Sequence, residues 1–171
     1  GATNNPGVNG SLPSMYHPPI PAAANGRGLI AISPIIWRDP TWLIDDKRRA
    51  EGTMVITGNA AYYPNTKFTN KYKDAVNKTD AAPIIRYAEV ALNMAEAYAR
   101  SNDVVEGLAR LNSVRNRSLA NPLTQAYTAA SFASNIDLLG AVLKERRIEF
   151  ICEGRRWADI SRLQNDANFP I

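Results

Sequence analysis

The sequence predicts a helical fold over its second half and a loop-rich segment over its first, and three observations carry that division. Apolar residues recur at helical spacing from residue 84 to 119 and again from about 136 to 163. Proline, glycine, asparagine and serine crowd the opening stretch "GATNNPGVNGSLPSMYHPPIPAAANG", a composition of turns and extended chain. The clearest β-branched run between glycines is "GTMVITG", which reads as one short strand.

Residues 1 to 82 are therefore read as loop, with at most short strands. Pro34 and Pro40 interrupt the apolar stretch from Gly28, and residues 58 to 82 carry Tyr62, Tyr63, Phe68 and Tyr72. At Pro83, a residue suited to a first helical turn, "PIIRYAEVALNMAEAYAR" begins. Tyr87, Ala91, Met94 and Tyr98 form one apolar row, and Ile84, Ala88, Leu92, Ala95 and Ala99 a second. Arg86, Glu89, Asn93, Glu96 and Arg100 make the polar stripe. Asp103 with Glu106 resembles a capping box for a second helix that buries Val104, Leu108 and Leu111; the short joint predicts an antiparallel pair. After the loop "ANPLTQAYTAASFASN", Ser134 and Asp137 offer another capping box for a long helix from about Ile136 to Glu153. Gly154 is its expected left-handed terminator, and Trp157, Ile160 and Leu163 mark a last short helix before a tail at 164 to 171.

Composition narrows the chemistry. With 171 residues, 45% of them apolar and 21% charged, the chain has the makings of a cored, soluble globular fold. A net charge of +4, from 20 basic against 16 acidic residues, does not demand a nucleic-acid partner. No window is apolar enough for a membrane span, and no signal-peptide pattern opens the sequence. The one histidine, His17, sits in the proline-rich stretch, so no histidine triad or zinc motif exists, and "GRG" at 26 to 28 lacks the strand and helix of a phosphate loop. No metal or cofactor is expected. Cys152, the lone cysteine, lies among apolar positions and reads as a small core residue. The acid pairs Asp45–Asp46 and Glu89–Glu96 raise a two-carboxylate hydrolase, but neighbouring arginines make ion pairing the simpler account of Glu89 and Glu96.

The stretch "KERRIEFICEGRRWADISRL" looks at first like a nucleic-acid helix. A helical wheel places Arg146 on the row of Leu139, Leu143 and Phe150, and Glu145 and Glu149 on the row of Leu138, Val142 and Cys152. Charges on apolar rows must be buried and paired, since an unpaired buried ion costs several kcal/mol. Arg155 and Arg156 are the expected exposed charges.

In order along the chain, "DDKRR", "KFTNKYKD", "IIRYAEVALNMAEAYAR", "GLARLNSVRNRS" and "LKERRIEFICEGRRWADISRL" resemble the SusD/RagB family of nutrient-binding outer-membrane lipoproteins. The last block is similar to the family pattern through Glu145, Arg146, Arg147, Glu149, Glu153, Gly154, Arg156, Trp157, Asp159 and Arg162, of which Arg146, Glu149, Gly154, Trp157 and Asp159 are expected to be structural. The resemblance implies an all-α scaffold of tetratricopeptide-like helix hairpins with long loops and at most a short β-hairpin, its helical core at 83 to 163. It also implies a binding protein and not an enzyme. Such a protein captures glycans, or sometimes peptides, at the cell surface for a TonB-dependent outer-membrane transporter. It would be held there by an N-terminal lipid anchor that this chain lacks, along with the family's N-terminal helical repeats. Sugar capture needs aromatic faces and planar polar groups. The candidates in the loops are Trp37, Arg38, Trp42, Tyr62 and Tyr63. A tetratricopeptide-like adaptor and, less readily, a glycoside hydrolase are the alternatives.

Overall fold

A computed structural model of the chain describes residues 12–18, 26–59, 61, 63–74, 76–77 and 79–169. Tyr62, the ends of the proline-rich opening and the last two residues lie outside them. The chain divides into two compact units, Gly1–Pro83 and Ile84–Ile171.

The first unit is less bare of structure than its composition implies. Leu12–Tyr16 forms a short helix, α1, whose Tyr16 ring stacks on Tyr72 at 5.2 Å. His17 is buried, with Nδ1 3.0 Å from the Pro18 carbonyl, and Gly26 lies so close that a Cβ there would meet the His17 carbonyl oxygen at 2.3 Å. Pro34–Trp37 winds into one turn, α2, with proline at its start and the Ser33 side chain accepting from the Ile35 amide at 3.3 Å. The expected strand is Val55–Thr57, β1, and the loop after it holds a second strand, Lys67–Thr69, β2. They pair antiparallel with Thr57 opposite Lys67, the only sheet among the described residues. Phe68 and Val55 face inward with Ile32, Ile36 and Trp42 in the buried set.

In the second unit the helix pair forms as α3, Tyr87–Arg100, and α4, Val104–Arg115, joined by three residues. Their core is Ala88, Ala91, Leu92, Ala95, Ala99, Leu111 and Val114, closed by Leu138, Leu139 and Val142 of the long helix further along the chain. The alanines let the helix axes approach closely. At Gly107 a Cβ would come within 3.0 Å of Leu138 Cδ2. α3 does not begin at Pro83. Arg86 is held extended, its guanidinium gripping Glu149 and Glu153, so the helix starts after it and Ile84, expected on an apolar row, is 86% exposed. Asp103 caps α4 by accepting from the Glu106 amide at 3.1 Å, but the Glu106 carboxylate turns to Arg110 at 3.4 Å. The loop that follows holds a short turn of helix, α5, Pro122–Gln125.

α6 spans Asn135–Glu149 with Ser134 as its cap, four residues short of the expected end. The left-handed residue after it is Cys152, with φ of 62°, and Gly154, with φ of 77°, begins α7, Arg155–Leu163, instead of ending α6. The reversal has a cause: it returns Asp159 to Arg146, thirteen positions back. Cys152 is thus in a half-buried turn and not in the core. α7 buries Asp159 and Leu163 and leaves Trp157 75% exposed. Phe169 of the tail packs against the helical core.

Candidate functional site

In the first unit the segment from Ile32 to Arg38 and the hairpin loop from Pro64 to Lys67 face one another across an open cavity of about 260 Å³. The walls are tied together where the Ile32 amide donates to the Lys67 carbonyl at 2.7 Å. Trp37 lines the cavity, half-buried, and its indole is fixed by three contacts. The Arg49 guanidinium lies 4.1 Å from the ring centroid, the Lys67 ammonium 5.5 Å, and Trp42 meets it edge-on at 5.4 Å. Arg49 is itself positioned by a 2.7 Å bond to the Trp42 carbonyl. Burial pushes the Arg49 guanidinium down, with nearby Asp46 opposing. That Asp46 carboxylate is already gripped by Arg48 at 2.7 and 3.0 Å.

The five sequence candidates therefore divide. Trp37 and Arg38 line the cavity, and Arg38 carries no side-chain partner among the described residues. Trp42, 1% exposed, is a floor beneath Trp37, with no face for a ligand. Tyr63 is 48% exposed, with φ of 55° and its ring edge on Phe68 at 5.9 Å; it stands beside the lining and not in it. Tyr62 lies outside the described residues. Sequence reasoning passed over Lys67, Asn65 and Arg49. Lys67 donates to Glu51 at 2.5 Å and Thr57 at 2.7 Å. Burial would raise the Glu51 carboxyl, but the Lys67 and Thr57 bonds hold it below its usual range. Asn65, with φ of 63°, adopts the left-handed conformation that asparagine tolerates, and two non-glycine residues in that region within one short loop mark a specified geometry. The one available signal was the "YPN" punctuation, inside a segment read only as loop.

The acidic groups of the second unit are engaged elsewhere. Arg146, 5% exposed, donates to Asp159 at 3.1 to 3.3 Å and to Asn93 at 2.5 Å. Buried Glu149 is held by Arg86 at 2.5 Å and by Arg117, so Arg146 and Glu149 are both paired, but not to each other. Glu145 meets Arg115 at 3.4 Å. Glu96 is bonded by Arg162 at 2.6 and 2.7 Å and by Arg100 at 3.0 Å, while Glu89 pairs with Arg155 at 3.1 Å. Arg155, expected in water, is thus latched to α3. Burial would raise Glu96 and Glu149, yet their arginines hold both below the usual carboxylate range. A general acid needs a raised pKa and a free proton; Glu96 and Glu149 offer neither. Among the described residues no group of three His, Cys, Asp or Glu could hold a metal ion, and no helix is long and apolar enough to cross a membrane.

In comparison with known proteins, the chain matches the SusD family (SusD_RagB) over residues 49–169, more than half its length. No curated protein and no solved structure matches it.

Proposed function

The chain belongs to the SusD family, a family of nutrient- and glycan-binding proteins, and from that premise we propose that it takes part in glycan capture through the cavity beside Trp37. In this reading the chain is part of a surface lipoprotein that hands oligosaccharide to a TonB-dependent outer-membrane transporter. The observation that supports it is the fixed, partly exposed indole of Trp37 set among Pro34, Arg38, Asn65 and Lys67. A pyranose ring offers an apolar face for the indole and hydroxyls for planar polar groups. Covering the exposed part of the ring is worth roughly 1 to 3 kcal/mol by the area rule.

The test is a glycan array followed by calorimetry on the best glycan. Trp37→Ala is expected to weaken binding about tenfold or more, a change of about 1.4 kcal/mol or above. Unchanged affinity would place the site elsewhere. Product released from the glycan, and lost on Glu→Gln changes, would return the hydrolase alternative.

A further inference from the structure

The lining of this cavity is unbalanced in a way that names the charge of its ligand. Arg38, Lys67, Asn65 and Thr66 supply its polar side chains, and no carboxylate is among the lining residues. Three of the backbone acceptors here are already engaged: the Pro34 carbonyl takes the Arg38 amide, Thr66 the Gly58 amide and Lys67 the Ile32 amide. A neutral sugar presents hydroxyls that donate as well as accept, so a site built for one needs acceptors to meet them. Here donors dominate.

The charges tilt the same way. Arg38 has five N–H donors and no side-chain partner among the described residues. Lys67 is matched by Glu51 and Thr57, leaving one of its three ammonium hydrogens. Behind the indole stands Arg49, and Asp46, the carboxylate that acts on its charge, is held in a bidentate grip by Arg48. In the second unit, by contrast, Arg86, Arg100, Arg115, Arg146, Arg155 and Arg162 all have carboxylates. An exposed, planar, unmatched guanidinium at the mouth of a donor-rich cavity fits a carboxylate or sulfate, which it takes through two parallel bonds.

We infer that the cavity takes a sugar ring bearing a negative group, a uronate or a sulfated residue, with Arg38 as its anion contact and Trp37 as its stacking face. This rests on the glycan-capture reading and narrows it. A volume of about 260 Å³ lies just under the range of drug-sized ligand pockets, which suits one ring of a longer chain.

Calorimetry on the full chain separates the possibilities, with tetragalacturonate, its methyl ester, a sulfated galactan oligosaccharide and its desulfated form as probes. At least one acidic glycan should bind about tenfold more tightly than its neutral counterpart, and the advantage should shrink with added salt. The pair that shows it identifies carboxylate or sulfate. Arg38→Gln, at an exposed position, should bring the acidic glycan down to the affinity of the neutral one, whereas Trp37→Ala should weaken both alike. Equal affinity for acidic and neutral partners would overturn this inference and leave glycan capture standing. Failure of every glycan on the array would remove both. Binding of tetraglutamate as tightly as any acidic sugar would overturn it in favour of an acidic peptide.

Discussion

Arginine does opposite work in the two units. In the helical unit it closes a web of carboxylates: Arg146 to Asp159, Arg162 to Asp159 and Glu96, Arg100 to Glu96 and Asp166, Arg86 to Glu149 and Glu153. These pairs join α3 to α6, α7 and the tail, and they let α7 hold its place with little apolar burial beyond Leu163. In the loop unit Arg48 alone repeats this, on Asp46, while Arg49 lies on an indole and Arg38 has no side-chain partner among the described residues. The difference teaches how to read such residues: a guanidinium matched by a buried carboxylate holds the fold, and one left unmatched beside a fixed aromatic is ready for a ligand.

The contrast breaks most visibly at the two tryptophans of the loop unit. Trp42→Ala, at a fully buried side chain, is expected to cost about 3 to 5 kcal/mol in that unit, measured by denaturant melts, while Trp37→Ala costs markedly less. Equal losses would make Trp37 another anchor. Next comes Arg146→Met, which leaves buried Asp159 with Arg162 alone and takes the guanidinium from Asn93, and should cost on the order of 3 kcal/mol; a loss under about 0.5 kcal/mol would show a pair of the surface kind. Acid is gentler. Glu96 and Glu149 titrate below their unfolded values, so the stability they contribute is present above the ordinary glutamate pKa of about 4.3 and lost as pH falls through their folded values. Helical melting temperature should hold from neutrality to about pH 5 and decline below about pH 4; a decline beginning above pH 6 would point to other groups. The smallest effect belongs to Arg156, which forms no ion pair among the described residues and feels the Asp159 carboxylate only at longer range. Arg156→Gln should change helical stability by less than about 0.5 kcal/mol in the same melts.

Periodicity made the helices legible, because Leu92, Leu111, Leu138, Leu139 and Val142 recur where a helical core requires them. It misplaced their ends. The start of α3 is decided by Arg86 reaching residues 63 and 67 positions away, and the end of α6 by the turn that brings Asp159 back, neither of which local spacing encodes. The wheel marked Arg146 and Glu149 as buried but could not name their partners, for the same reason. At the candidate site Trp37 and Trp42 look alike in sequence; only the paired strands and the packing of Arg49 separate floor from face. Lys67 and Asn65 reach the cavity through hairpin register and left-handed backbone, which a stretch of loop composition does not reveal.

The most direct measurement follows the three indole N–H signals of the chain, one each for Trp37, Trp42 and Trp157, by heteronuclear NMR during titration with the best glycan from the array. Single Trp→Phe variants assign them. The Trp37 signal is expected to move progressively to saturation, with that of buried Trp42 following weakly through their edge contact and that of exposed Trp157 unmoved. Saturable movement of Trp157 with Trp37 still would contradict the account and put the glycan on the helical unit.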